Sequence, residues 1–411
     1  MTEDDVLTHV HGICFKTGPP RLVGVESEWL VTDSDRPDQH VSLARLSAAI
    51  DAADPLPAGS TVTYEPGGQL ELSSVPLPGP FASYAALRAD LAHVRTHLAR
   101  AGLALSGWGL DPIRVPARQL DNPRYSAMEA FFDADGPGGR IMMCSTAALQ
   151  VCVDVGADLA HAATRWRLAH ALGPLLVAVF ANSPLRMGRV TGWKSTRQAV
   201  WASIDPSRTR PPPEGDPVEA WTRYALDAKV MVVRRLDGGW VNAPGMTFRE
   251  WLAGAGPGNP TADDFAYHLT TLFPPVRPRG WLELRMIDQQ SADHWAVPLA
   301  VVAALIEDDN AADCALGATE PTADRWVPAA RDALADDELA RAARTCFEAT
   351  LAALPRLGAG ELVRIVENFA ERYVDRRRCP ADDVLDRSTR HPRRVDPGRG
   401  CGNEKEVDLW I

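Results

Sequence analysis

Gly24-Val25-Glu26-Ser27-Glu28-Trp29 lies in a run, Leu22 to Val31, that alternates apolar and polar residues as a strand does. Successive strand side chains point to opposite faces, so Val23, Val25, Trp29 and Val31 share one face and Glu26 and Glu28 the other. Two carboxylates on adjacent same-face positions repel, and more strongly as they leave water. The pair asks for positive charge above it. Divalent cations, shared with later acidic strands, would supply that charge.

Two later stretches repeat this grammar. In Thr61–Ser74, Pro66-Gly67 suits the central positions of a type II turn, so the flanks form a hairpin. Leu70 and Leu72 then take the core face, and Glu65, Gln69 and Glu71 point together if Glu65 pairs near Gln69. In Trp281–Met286, Glu283 and Arg285 share one face and Leu282, Leu284 and Met286 the other. The preceding Phe273–Gly280 reads as a loop carrying Arg277 and Arg279. Any one of these strands is what the wet side of an antiparallel sheet looks like. Three acidic sets flanked by Gly, Pro or aromatic residues favour a common site. Hard oxygen ligands suit Mg2+ or Mn2+, and metals clustered near arginines suit phosphoryl transfer.

Outward from these strands, Val41–Ala53, Pro80–Gly102, Asp158–Phe180, Trp221–Ala228, Ala262–Leu272, Trp295–Ile306, Trp326–Leu354 and Glu361–Ala370 carry helical spacing. Leu87, Leu91, Val94 and Leu98 form the apolar stripe of the second. Leu103–Trp108, Met142–Asp154 and Val230–Val233 read as strands. Asp111–Met128, Phe131–Arg140 and Pro211–Pro217 read as loops. Ser195, Arg197 and Trp201 suit a short helix with Arg197 and Trp201 on one face. His9-Val10-His11 reads as a pair of exposed histidines rather than a metal pair.

Of 411 residues 45% are hydrophobic and 24% charged, ordinary for a soluble globular protein, and the net charge of −11 argues against nucleic acid as a partner. The seven cysteines show no CxxC or zinc spacing and read as free thiols. Cys144 and Cys152 fall in apolar, strand-like surroundings, which suits structural thiols rather than nucleophiles. The start is acidic, not that of a signal peptide, and the most apolar run, Leu168–Ala181, is too short to span a bilayer. A cytoplasmic protein without a membrane or an obligate protein partner is expected. P-loop, dinucleotide and G-x-S-x-G signatures are absent.

Taken in order, several motifs resemble those of a known family. They are Gly24–Glu28, Tyr64–Ser73, Asn122-Pro123-Arg124-Tyr125, Thr146-Ala147 with Gln150-Val151, Ala181-Asn182-Ser183-Pro184, Ser195 with Arg197 and Trp201, and Leu282-Glu283-Leu284-Arg285. The set is similar to the glutamate–cysteine ligases of the carboxylate–amine ligase family that includes plant and actinobacterial enzymes. Met142–Ala147 and His268–Pro274 resemble the actinobacterial branch of ergothioneine biosynthesis. The resemblance implies an α+β fold with a glutamine synthetase-like catalytic core. In such a core a curved antiparallel sheet forms a funnel, with helices packed outside. It also implies one catalytic domain over residues 1–375; residues 376–411, rich in Arg, Pro and Gly, have the composition of a flexible tail.

The implied reaction joins L-cysteine to the γ-carboxylate of L-glutamate through a γ-glutamyl phosphate, with ATP and Mg2+ (or Mn2+). Carried over by motif, Glu26, Glu28, Glu65, Glu71 and Glu283 are metal ligands, and Arg285 is catalytic and binds substrate or phosphate. Gln150 stands where related sites often place a metal-binding His, so it is read as a metal ligand or a glutamate contact. Arg124, Arg197, Trp201 and Arg279 are candidates for binding glutamate or ATP. The same fold with another acceptor amine, or an inactive regulatory protein on this fold, are the alternatives.

Overall fold

The computed structural model describes residues 1–18, 21–234, 239–243, 245–291 and 294–390. Its centre is an eight-stranded antiparallel sheet in the order β11-β12-β6-β1-β3-β2, with β4 and β5 paired to the two ends of β1. The strands are β1 (Leu22–Asp33), β2 (Thr61–Tyr64), β3 (Leu70–Ser73), β4 (Leu77–Pro78), β5 (Leu103–Ser106), β6 (Ala148–Asp154), β11 (Val276–Pro278) and β12 (Trp281–Asp288). Two small ribbons lie apart, β7 (Leu185–Arg186) with β8 (Arg189–Val190), and β9 (Val233–Arg234) with β10 (Trp240–Val241).

Register fixes what the site can be. Glu28 lies opposite Glu71, Glu26 opposite Ser73 on one side and Gln150 on the other, and Glu283 opposite Cys152. The alternate residues, Val25, Trp29, Leu70, Leu72, Val151, Val153, Leu282 and Leu284, are all buried on the other face. Each fully buried side chain of this kind contributes about 1.5–3 kcal/mol, so this face anchors the sheet. Ser27 shares that face and is satisfied by Gln289 Nε2 at 2.9 Å. The helices Gly79–Arg100, Leu159–Phe180 and Asp337–Arg356 form the layer behind, around Ala296–Glu307, which is buried on every side.

Several local expectations are corrected. The positive φ of the β2–β3 turn falls on Gly68 (+86°) rather than Gly67. Gly68 N–H donates to Glu65 O (2.8 Å), and Glu65 N–H to Gln69 O (2.9 Å), closing a three-residue hairpin loop. Gly67 serves close approach instead: a Cβ there would meet Cys144 O at 2.1 Å. Residues 111–128 are not all loop. Asn122 accepts from Tyr125 N–H (3.0 Å) and Pro123 takes the first position of the helix Pro123–Asp133, a start signal that the Pro and Arg content masks.

Met142–Ser145 closes the helix Gly138–Ser145, and the strand begins only at Ala148. A short apolar run does not distinguish helix from strand by period alone. Val276–Pro278 is a strand, not loop, while Val230–Val233 contributes only Val233 to one. Trp326–Leu354 breaks into three helices, and Asp309–Thr319 is an additional one. His9 and His11 lie in helical turns.

The flexible-tail reading fails for its first part. Pro380–Arg390 is a helix, Cys379 and Ala381 are buried, and Lys194 Nζ pairs with Asp382 at 2.7 Å. Residues 391–411, with Cys401, lie outside the described residues. Cys14, Cys144, Cys152, Cys314, Cys346 and Cys379 are free thiols. Among the described residues no helix is long and apolar enough to cross a membrane.

Candidate active site

The polar face of the sheet floors a cavity of about 430 Å3. Glu26 and Glu28 reach it from β1, Glu71 from β3 and Glu65 from the β2–β3 turn. Oxygens of Glu28, Glu65 and Glu71 lie within 4.8 Å of one another, and oxygens of Glu26 and Glu283 lie that close to the Cys152 thiol. An ionised pair at such a distance repels by about 3–4 kcal/mol at an effective dielectric of about 20.

The protein answers with protons. Burial, then Glu283 and Glu71, push Glu26 up to about 8. Burial and Glu71 push Glu28 up to about 7. Burial, then Glu28 and Glu71, hold Glu65 well above the usual carboxylate range. Half-buried oxygens that pick up protons for want of positive charge are a donor set that fits a hard divalent cation. The Cys152 thiol, kept protonated by burial and by Glu283 and Glu26, is a poor ligand beside them.

Local hydrogen bonds aim the carboxylates. Glu28 accepts from Ala148 N–H (2.7 Å) and Gln150 Nε2 (3.0 Å). Glu71 accepts from Thr63 Oγ1 (2.7 Å) and Ser73 Oγ (3.2 Å). Gln150 Oε1 accepts from Arg285 Nη1 at 2.5 Å, so Gln150 ties a carboxylate to an arginine. Its oxygen keeps a second lone pair beside that bond. A one-residue register shift between Leu284 and Ile287 lies opposite Gln150.

The β11–β12 edge is cationic. Arg277 lies opposite Glu283 and pairs with it at 2.6 Å, while Arg285 pairs with the same carboxylate at 3.0 Å. Burial pushes Glu283 up, but these two arginines outweigh it and hold it well below the usual range. Burial and Arg285 loosen the proton on Arg277, yet a guanidinium stays charged, so the triad is ionic. Glu283 is fully buried and serves here as counter-ion. Arg279 reaches the cavity and sits over the Trp281 ring (5.4 Å).

Helices cover the floor. Pro123–Asp133 brings Arg124, Tyr125 and Met128, Gly138–Ser145 brings Met142 and Met143, and Thr196–Ser203 brings Trp201. Arg124 is held by Thr270 Oγ1 (2.9 Å) and Thr270 O (3.0 Å) and lies over Tyr267. Arg197 lies off the cavity. Its Nη2 donates to Arg285 O (2.9 Å) and its guanidinium covers the Trp201 ring at 4.9 Å. Asp288 accepts from Asn182 N–H, Ser183 Oγ and Ser195 Oγ, so those motif residues anchor the end of β12.

The structure therefore brings Glu26, Glu28, Glu65, Glu71, Gln150, Arg124, Trp201, Arg279 and Arg285 to one cavity and leaves Glu283 and Arg197 behind its wall. Arg277, Tyr125 and the three methionines were not anticipated. Arg277 had a signal: a hairpin closing at Gly280 sets it opposite Glu283. Met142 and Met143 fall in the family-like run Met142–Ala147, which assigns them no role, and Met128 had no signal, because its helix was not expected.

The chain matches the family described as Glutamate-cysteine ligase family 2 (GCS2) over residues 22–401. It is 42% identical over 396 residues to the glutamate–cysteine ligase EgtA of Mycolicibacterium smegmatis, covering 93% of this chain and 91% of that one. To the EgtA of Mycobacterium tuberculosis it is 42% identical, over 91% and 88%. A chloroplastic glutamate–cysteine ligase of Arabidopsis thaliana is 30% identical, over 81% and 67%. Among solved structures, a glutamate–cysteine ligase from Francisella tularensis in complex with AMP superposes with a TM-score of 0.52 at 12% identity, over 91% of this chain and 86% of that one. A bifunctional glutathione synthetase from Pasteurella multocida gives 0.52 at 14%; it is matched over 94% of this chain and 51% of its own length. Those two share the fold.

Proposed function

The chain belongs to glutamate-cysteine ligase family 2, and we propose that it joins L-cysteine to the γ-carboxylate of L-glutamate at the expense of ATP, within ergothioneine biosynthesis. The observation that carries this reading is the convergence of four carboxylates from β1, β3 and the β2–β3 turn with Arg279 and Arg285 on one cavity. A carboxylate is a poor electrophile at neutral pH and an acyl phosphate a good one. An oxygen of the glutamate γ-carboxylate attacks the γ-phosphorus of ATP, and ADP leaves. The cysteine amine then attacks the acyl carbon; phosphate departs with the C–O electron pair and takes up the proton the amine sheds.

Glu26, Glu28, Glu65 and Glu71 would hold Mg2+ or Mn2+, with Glu283 joining by releasing an arginine. The cations supply screening of the charge that gathers as two anions meet. Arg285 and Arg279 bind phosphoryl oxygens by their N–H groups, and Arg277 holds Glu283 in place. Gln150 keeps Arg285 and Glu28 in register. Arg197 acts from behind, bracing the Arg285 backbone and the Trp201 ring. The catalytic unit is residues 1–375, with the helix Pro380–Arg390 packed on it.

ADP release with Mg2+, glutamate and cysteine tests the reading. Wild type should respond to cysteine, and Glu28→Gln should lose on the order of 10^3-fold with its melting temperature kept. A fully active Glu28→Gln would remove the carboxylate floor from the mechanism.

A further inference from the structure

The cavity has a direction. Strand order runs from the arginines of β11 and β12, through Gln150 of β6 and the carboxylates of β1 and β3, to the β2–β3 turn. ATP and the donor carboxylate are anions, and the arginine edge draws them. At the turn end the wall changes character. Met128, Met142 and Met143 are buried, line the cavity, and belong to a separate apolar cluster with Phe273. Met128 is one turn beyond Arg124 on the same helix face.

Gln69, at 3% exposure, supplies the second observation. Its Nε2 donates to Thr146 O (2.8 Å) and Met143 O (3.4 Å). Reversing the amide would set its oxygen against two carbonyls, so the orientation is determined by its partners. Its Oε1 is then buried with no protein donor. A buried acceptor of this kind calls for an N–H or O–H from a ligand or a water.

We infer that the acceptor amino acid binds at this turn end, its side chain against Met128, Met142 and Met143 and its amine on Gln69 Oε1. Arg124 supplies counter-charge for its carboxylate. Thioethers take a soft, weakly hydrated side chain such as a thiol and are themselves only weak acceptors for a hydroxyl. The inference rests on the ligase reading and says which residues choose the acceptor. Gln69 also borders a void of about 10 Å3 behind the turn, room for about one water, which is the rival partner for its oxygen.

The test is calorimetric titration of the full chain with Mg2+, glutamate and a non-hydrolysable ATP analogue. Cysteine, serine and 3-mercaptopropionate, which lacks the amine, are the probes. Met128→Gln should weaken cysteine about tenfold and not serine, with glutamate and the nucleotide unchanged within about twofold. Met142→Leu conserves volume and should weaken cysteine about threefold, so a poorly folded Met128→Gln does not end the test. Weakened glutamate with unchanged cysteine would give this wall to the donor and overturn the inference. In wild type, cysteine should bind at least tenfold more tightly than 3-mercaptopropionate, and Gln69→Leu should erase the difference. If the difference persists in Gln69→Leu, a water satisfies Oε1 and the amine contact is wrong. Wild type that binds cysteine but does not turn it over would defeat the ligase reading alone; wild type that binds none of the probes would defeat both.

Discussion

On β1, Val25 and Trp29 close into a dry layer of helices, while Glu26 and Glu28, one residue away, face three further carboxylates and a cationic edge. The two faces are made from alternate residues of the same strands, yet they act on the fold with opposite sign. The apolar face gains free energy from every side chain it buries. The polar face gathers like charges that the folded chain tolerates by taking up protons. Stability is thus concentrated on one side of the sheet and chemistry on the other, the usual division where function requires unfavourable local contacts.

The largest effect should come from the apolar face. Leu72→Ala should lower unfolding free energy by about 2–5 kcal/mol, read by denaturant titration, with Michaelis constants unmoved while the protein is folded. On the polar face, Gln150→Leu should cut kcat about 10–100-fold, because Arg285 and Glu28 lose their tie; an unchanged kcat would show that the two groups hold position alone. Glu65→Gln should act in the reverse sense to Leu72→Ala. In cation-free buffer above pH 7 it should stabilise the fold by about 1 kcal/mol while lowering ligase activity, and destabilisation there would contradict the frustrated-floor view.

The smallest effect is a difference in slope with pH. Glu26 and Glu28 are raised to about 8 and about 7, so between about 4.5 and 8 the folded chain binds more protons than the unfolded one. Above about 6.5, where the buried histidines no longer oppose them, cation-free stability should therefore fall as pH rises to about 8, and Mg2+ should remove this fall. In the helical part, burial lowers His170 to about 4 and His268 to about 3. At these two sites the folded chain binds fewer protons below the ordinary histidine value, which offsets the carboxylates between about 4.5 and 6.5 and, with Mg2+ bound, makes stability drop as pH falls under about 6.5. Mg2+ should leave that acid limb in place; urea midpoints with and without Mg2+ separate the two.

Alternation alone carried the sequence reading a long way. It placed Glu26 with Glu28, Gln69 with Glu71, and Glu283 with Arg285, because a strand has one period and one rule for its faces; Glu65 joined them only through an assumed hairpin register. The turn at Pro66-Gly67-Gly68, the long helices Gly79–Arg100 and Leu159–Phe180, and the family motifs were legible for the same local reasons. Helices with weak or masked start signals, Pro123–Asp133 and Gly138–Ser145, were not, and with them went the methionine wall.

What only the tertiary structure decided is which strands are neighbours and which charges end up paired. Strand order set Glu28 opposite Glu71, Gln150 against Glu26, and the strand of Arg285 beside that of Gln150. It also drew Glu283 behind the wall into a pair with Arg277 and set Arg197 off the cavity, against the Arg285 backbone. Periodicity is a property of a few consecutive residues and is written in the sequence. Pairing across this sheet joins residues up to 140 positions apart, and only burial and register, acting on the whole chain, select it.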